Sequence, residues 1–378
     1  MNDLYTFDTT LDNARQTYQD VQEAYRRIFS RVGVPFYVAE ADSGQIGGNM
    51  SHEYHYASSA GEDSVFVCKA CGYASNKECT ASVPSGKKDK LRVEAFDDGG
   101  DKLVVVVAKR PINATKLAKI TSPELKSMPL QHAKQRAQGG TSTRVILDST
   151  ATVDDLALAG ALFGHPLAHP MEAAVHGTQA GDECARCHTS ESLVHHTAIE
   201  VAHTFLLGDT YSSTLNATFH PENDATKTPI QMGCYGIGVS RLLAAVVQAQ
   251  HDHQGMVWPW SIAPYRCCVV VLNPNRSTNN PVHLLEHETD LLGDAMQVAT
   301  SLATNVDGLQ QDVIVDDRDH VSHGWKIQDA RLIGYPWMVV VGRDWLSKKH
   351  VELHQRTTGK QWTVPHDQVA HIIQTNGL

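Results

Sequence analysis

No apolar run in this 378-residue sequence approaches the roughly 20 residues that would cross a bilayer as a helix. The opening stretch, MNDLYTFDTT, lacks both the apolar core of a signal peptide and the arginine-rich character of a transit segment. The chain is therefore expected to be soluble and without a membrane partner. It also lacks an excess of positive charge. Its formal net charge is −10, which excludes a protein that lives on non-specific attraction to phosphate but leaves room for a local nucleic-acid site. Its eight cysteines are not spaced like a small disulfide framework. Two nucleotide motifs are absent as well. There is no Walker G-K-[ST]. The glycine stretch at 233–238 has Arg241 where a dinucleotide fingerprint needs its third glycine, and no acid follows in residues 256–262.

What is present suffices for two or three domains, with 42% hydrophobic and 20% charged residues. Residues 11–32 place Tyr18, Val21, Ala24, Tyr25 and Ile28 near helical spacing and predict an amphipathic helix. FYVAEADS, SHEYHYAS and SVFVCKAC read as strands, with the glycine-rich turn GQIGGNM after the first. Residues 80–180 change character. They are loop-like, with one clear strand at LVVVVAK, and read as an insertion interrupting a domain. IEVAHTFLLG and PIQMGCYGIG return to strand character, followed by a helix over 239–250. Beyond residue 265 strands alternate with helices, including one over 283–303, and a hairpin turns at TTGKQ. That pattern predicts a small α/β domain with a largely parallel sheet.

Four groups of residues carry chemistry. In MGCYGIGVSR, Gly233, Gly236 and Gly238 run into a helix whose face Val239, Leu242, Leu243, Val246 and Val247 is expected to be buried. Arg241 points away from that face. The stretch either seats a phosphate or is a glycine-tight packing turn. In SHEYHY, alternation puts Ser51, Glu53 and His55 on one face of a strand, with His52, Tyr54 and Tyr56 on the other. In VAHTFLLG, His203 and Phe205 share a face, which fits either a ligand pocket or a core strand with a satisfied histidine. Cys68/Cys71 and Cys184/Cys187 each have the C-x-x-C form of a zinc knuckle. The two pairs flank the insertion and stand far apart in the chain. Four thiolates would complete a structural zinc site; the other readings are four reduced thiols or two redox pairs.

GIGVSRLLAA closely resembles motif 3 of class II aminoacyl-tRNA synthetases. EADSGQIGGNMSHEYHYASSAGED resembles the stretch following motif 2 in bacterial-type prolyl-tRNA synthetases. IEVAHTFLLGDTYS, MGCYGIGVSR, GMVWPWSIAPY and DDRDHVSHGWKIQDARLIGYPWMVVVG are similar to that same family, in the same order, across residues 1–79 and 195–378. The resemblance implies a class II antiparallel sheet flanked by helices, plus a C-terminal α/β anticodon-binding domain. It implies a first part of the catalytic domain at 1–79, a reduced insertion at 80–180, a second part at 181–264 and the anticodon-binding domain at 265–378. The implied reaction joins proline and ATP, with Mg²⁺, and passes the prolyl group to proline tRNA. Arg241 matches the motif 3 arginine that contacts ATP, with Gly236 and Gly238 letting backbone approach the nucleotide. Glu53 matches the glutamate of the family's EF pair, and Ser51 shares its face. His203, Phe205 and Cys234 match the family's pattern around a proline pocket, although Ala202 stands where glycine is usual.

The C-terminal segment carries 10 Lys and Arg against 13 Asp and Glu, so base recognition would rest on local groups. Arg318, Lys326 and Arg331 are the candidates there, with surface charges as the other reading. The insertion sits where bacterial-type members carry an editing domain, but no hydrolytic residue can be placed in it, so no clearance of alanyl-tRNA is expected. In a eukaryote the resemblance points to a mitochondrion, otherwise to the cytoplasm. MNDLYTF resembles the end of motif 2, with Asn2 in place of a lysine. On that resemblance the chain reads as a fragment, poorly soluble alone, nearly inactive and not the family's homodimer. A non-catalytic tRNA- or partner-binding relative is the alternative, and a zinc-stabilised hydrolase a third reading.

Overall fold

The computed structural model describes residues 1–378 except 49, 86–89, 100–101, 165, 222–225, 274–290 and 377–378. The chain forms two units, one of residues 1–20 and 36–238, the other of residues 21–35 and 239–378.

The first unit is built on a seven-stranded sheet. Its organiser is the strand Leu193–Gly208, 16 residues long. One side of this strand pairs antiparallel with Gln231–Ile237, which in turn pairs with the edge strand Asn2–Asp8. Its other side pairs first with Asp63–Cys68 and then with Met50–Ala57. Tyr37–Glu40 lies between Met50–Ala57 and the short strand Ala74–Asn76, which joins Asp63–Cys68 and so closes a ring of five strands. The bulge between Glu200 and Ala202 lets one strand serve two partners. The helix Leu11–Val32 forms as its spacing predicts. Within the first unit it buries Ala14 and Tyr18, and the Tyr18 hydroxyl lies 2.8 Å from His52 Nδ1 and 2.9 Å from Thr204 Oγ1. Within the second unit it buries Tyr25, Phe29 and Val32. Ile28, expected on the buried face, is exposed, because the stripe runs through Tyr25, Phe29 and Val32 at i, i+4 and i+7.

The insertion is more ordered than its loop-rich sequence suggests. It holds a five-stranded mixed sheet in the order Met171–Ala173, Ser142–Asp148, Lys102–Ala108, Arg92–Asp97, Lys126–Met128. Helices Ala114–Ile120, Leu130–Gln138 and Val153–Phe163 accompany it. The leucine and valines of Lys102–Ala108 alternate between two cores: Leu103, Val105 and Val107 in one, Val104 and Val106 in the other. Ser142–Asp148 escaped notice because its buried half, Val145 to Asp148, is only four residues long and follows a glycine-rich stretch. Thr152 caps the last helix with Asp155 in a reciprocal capping box.

The second unit carries the expected alternation. Its five-stranded sheet runs Val313–Asp316, Cys267–Val271, Trp337–Val341, His350–Gln355, Gln361–Pro365, the first three parallel and the last two added antiparallel. Helices Leu291–Asn305, His323–Ile333, Arg343–Lys348 and Val369–Asn376 complete it. The first part of the helix expected over 283–303 lies outside the described residues. Cys267, Val269, Val339, Val341, Leu302 and Ile373 meet in one core.

Where the insertion rejoins the main sheet, Arg110 and Asp182 are both buried and paired, with Nη1 2.8 and 2.6 Å from the two carboxylate oxygens. Ser82 Oγ and the Gln179 and Ser85 amides also donate to Asp182. Burial opposes ionisation, yet these donors, Arg110 first, hold the carboxyl below its ordinary value. Asp182→Ala removes the carboxylate partner of a buried guanidinium, and thermal unfolding should show a loss of about 3–5 kcal/mol. A loss under about 1 kcal/mol would contradict this pairing's role. A depressed folded pKa stabilises above the unfolded value near about 4 and is lost as pH falls through the folded value. The variant should therefore be most different from the parent at neutral pH and converge with it in acid.

Candidate active site

Three adjacent strands, Met50–Ala57, Leu193–Gly208 and Gln231–Ile237, assemble a cluster of carboxylates, imidazoles and one aromatic ring. Register sets it: Glu53 pairs with His203, Ser51 with Phe205, and beyond them His203 pairs with Gly236 and Phe205 with Cys234. Ser51, Glu53 and His55 do share a face. Glu53 accepts from His55 Nε2 at 2.9 Å and from Asn76 Nδ2 at 3.2 and 3.3 Å. His203 Nδ1 stands 3.1 Å from Glu200 and 3.9 Å from Glu53. Its Nε2 is 3.1 Å from Ser51 Oγ, whose own proton goes to the Ala41 carbonyl. The imidazole stacks on Phe205 with ring centroids 3.8 Å apart. Donor atoms of Glu53, Glu200 and His203 lie within 4.8 Å of one another, an arrangement that attracts a cation. Burial raises the thiol of Cys234 above its ordinary value, so it is protonated at neutral pH.

Sequence reasoning missed Glu200, Asn76 and the pairing of His55 with Glu53. Glu200 sits three residues before His203, but the bulge breaks strict alternation and hides that both face one site. Asn76 carried no motif at all.

The glycine stretch is not a turn. Gly233 and Gly236 lie inside the strand Gln231–Ile237, and Gly238 alone links it to the helix Val239–Ala249. Gly233 is required by packing, since a Cβ there would overlap the Tyr235 hydroxyl and Thr6 Oγ1. At Gly236 a Cβ would meet only the ends of Met1 and Asp3. Gly238 donates its N–H to Val201 at 3.0 Å. The helix buries Ala245 and Val246, while Val239 and Leu243 are exposed at 48% and 44%. The stripe is thus narrower than its apolar residues suggest. Arg241, in the second unit, is exposed in the helix's first turn.

The two C-x-x-C pairs meet. Cys68 Sγ lies 3.6 Å from Cys187 Sγ and Cys71 Sγ 3.8 Å from Cys184 Sγ, and all four sulfurs fall within 4.8 Å of one another. All are free thiols. Tetrahedral zinc with bonds of about 2.3 Å puts its sulfurs about 3.8 Å apart, so the donor set and the spacing both fit. Burial opposes ionisation of Cys68, but hydrogen bonds from Ser192 and the Cys71 and Ala70 amides bring its thiol down to about 6. Arg186, inside the second knuckle, pairs with Glu40 and lies 4.4 Å above the Tyr73 ring.

Residues 1–250 match the tRNA synthetase class II core domain (G, H, P, S and T), and residues 266–376 match the anticodon binding domain. The chain belongs to the proline–tRNA ligase family of class II synthetases. It is similar to the cytoplasmic proline–tRNA ligase of Candida albicans, at 32% identity over 91% of this chain and 61% of that one. A probable mitochondrial proline–tRNA ligase of Schizosaccharomyces pombe is 31% identical over 100% of this chain and 62% of its own. The proline–tRNA ligase of Desulforamulus reducens is 31% identical over 95% of this chain and 69% of its own. The chain thus spans about three fifths of the length of the first two relatives. Among the described residues no helix is long and apolar enough to cross a membrane.

In the second unit the three candidate cations differ. Arg318 is engaged by Asp316 through Nε and Nη2 at 2.9 and 2.8 Å, and by Asp329 at 2.8 Å; these partners raise its pKa. Lys326 is buried, donates to the carbonyls of Val271 and Asp316 at 3.0 and 3.1 Å, and has its pKa pushed down by burial. Arg331 instead lines a cavity of about 360 Å³ with Tyr335, His354, Arg356 and Lys360. Arg356 is held by Asp252 in a two-pronged ion pair of 2.7 and 2.6 Å.

Proposed function

We propose that this chain activates proline with ATP and transfers the prolyl group to proline tRNA. The observation that carries the reading is the cluster of Glu53 and Glu200 beside the stacked rings of His203 and Phe205. Proline is a compact ring with a secondary ammonium. An outer face of the His203–Phe205 stack is proposed as a flat wall for the ring, and Glu53 as a counter-charge for the ammonium. Ser51 bonds the His203 Nε2, and Cys234, opposite Phe205 across the strand pair, is proposed for the pocket's edge. The substrate carboxylate then attacks the α-phosphate and pyrophosphate leaves. Negative charge grows on the phosphoryl oxygens; on the motif 3 match, Arg241 is the side chain proposed to meet it, and Gly236 and Gly238 are proposed to admit the nucleotide. Mg²⁺ would neutralise the triphosphate, and the Glu200 carboxylate is a suitable hard donor for it. For the anticodon, Arg331 with Lys360 at the cavity is favoured over Arg318 and Lys326, whose charges, like that of Arg356, are met within the fold. A homodimer is the assembly proposed for the full-length family member, with a mitochondrial location in a eukaryotic host and a cytoplasmic one otherwise.

The deciding assay is proline-dependent ATP–pyrophosphate exchange, run on this chain and on one carrying an upstream segment of the family type. Exchange that requires proline and falls on the order of 100-fold or more in Arg241→Ala is the expected result. Exchange in neither protein, with tRNA still bound, would move the chain to the non-catalytic alternative.

The four cysteines are proposed to hold one structural zinc ion. Zinc held by Cys68, Cys71, Cys184 and Cys187 would cross-link the two knuckles, with no part in the chemistry. Metal analysis of the purified protein should find one zinc per chain, lost in Cys71→Ser together with some thermal stability. Protein free of zinc yet equally stable would rule the site out.

A further inference from the structure

Asn76 bonds Glu53 and ends the hairpin whose turn carries the first knuckle. It is 7% exposed and sits at the end of the three-residue strand Ala74–Asn76. Its Nδ2 donates to both Glu53 oxygens, while its Oδ1 accepts from the Cys79 amide at 3.2 Å. Only this orientation of the amide satisfies both neighbours, since a carboxylate can only accept and a backbone N–H can only donate. The strand's other end is the first knuckle. Asp63–Cys68 and Ala74–Asn76 form a hairpin in the register Val65 to Asn76, Phe66 to Ser75 and Val67 to Ala74. Its turn is closed by Cys68 N–H to the Tyr73 carbonyl at 2.7 Å and Gly72 N–H to the Cys68 carbonyl at 3.0 Å. The second knuckle clasps that turn through the sulfurs and through Arg186 on Tyr73. A strand this short has few ladder bonds of its own, so its position along the sheet depends on what holds the turn.

We propose that Asn76 is a positioning residue for Glu53, and that the metal-loaded sulfur cluster sets Asn76 through the hairpin. Asn76 presents a neutral donor that fixes the carboxylate without neutralising it, leaving its charge for the substrate ammonium. Loosening the turn lets the three-residue strand slide and withdraws that donor, with no contact between metal and substrate. The catalytic consequence rests on the prolyl-activation reading; the geometric one does not.

The test uses the full chain labelled with ¹³C at the glutamate carboxyls, with the Glu53 resonance assigned by its loss in Glu53→Gln. The resonance should move in Asn76→Ala and Asn76→Asp and much less in Ser75→Ala, whose hydroxyl bonds the Glu40 and Asn76 carbonyls rather than Glu53. Withdrawing zinc with a chelator should move it in the parent and leave it still in Asn76→Ala, because the link is already cut. In the exchange assay Asn76→Ala should raise KM for proline about 10- to 100-fold, the worth of a hydrogen bond to a charged group, with kcat changed far less. An unmoved resonance in Asn76→Ala, or an equal shift in Ser75→Ala, overturns the positioning role. A chelator response as large in Asn76→Ala as in the parent overturns the coupling. If stripping the metal unfolds the chain, metal-loaded Asn76→Ala and Ser75→Ala decide the positioning role, and the coupling fails if zinc protects Asn76→Ala and the parent against unfolding equally. Resonance shifts as expected without any exchange would leave the positioning intact and reject the function instead.

Discussion

The strand Leu193–Gly208 is the element on which the rest depends. It pairs with three strands, and its register alone brings His203 opposite Glu53 and Phe205 opposite Ser51 and Cys234. Side chains alternate along a strand, so a slip of one residue would turn His203 and Phe205 to the other face and empty the cluster. Several features defend the register. Thr204, which must face the opposite way, is buried and bonded to Tyr18 and to the His52 carbonyl. Gly48, at φ +98, lets its turn lie against the Leu206 carbonyl where any Cβ would collide. Leu193 at the start of the same strand faces Cys68, so the strand that carries the site also leads out of the sulfur cluster.

The sequence revealed this arrangement unevenly, for physical reasons. Period-two alternation made Ser51, Glu53 and His55 readable as one face, because that strand is regular through those positions. The Glu200 to Ala202 bulge hid Glu200. The cysteines announced their chemistry through the C-x-x-C form. Their meeting was not readable, since Cys68 and Cys187 are 119 residues apart and only the folded sheet joins them. The glycines misled for the opposite reason. Gly233 is needed for the Tyr235 ring beneath it, which no local pattern reports. Asn76 was invisible because its importance is wholly tertiary.

Several cations of the two units are engaged within the fold. Arg110, Arg318 and Lys326 are engaged by Asp182, Asp316 and Asp329 or by backbone carbonyls. This is why residue type and a local family match did not separate Lys326 from Arg331. Burial did. A net charge of −10 is then compatible with tRNA as partner, because affinity would come from a few groups around one cavity rather than from a basic surface.

The central claim is that Glu53, His203 and Phe205 form the amino-acid pocket. A crystal structure with a non-hydrolysable prolyl-adenylate analogue tests it most directly. The pyrrolidine ring should lie against an outer face of the His203–Phe205 stack, with its nitrogen within hydrogen-bonding distance of the Glu53 carboxylate. An analogue bound elsewhere, or with its ring turned away from Phe205 and its nitrogen far from Glu53, would contradict it.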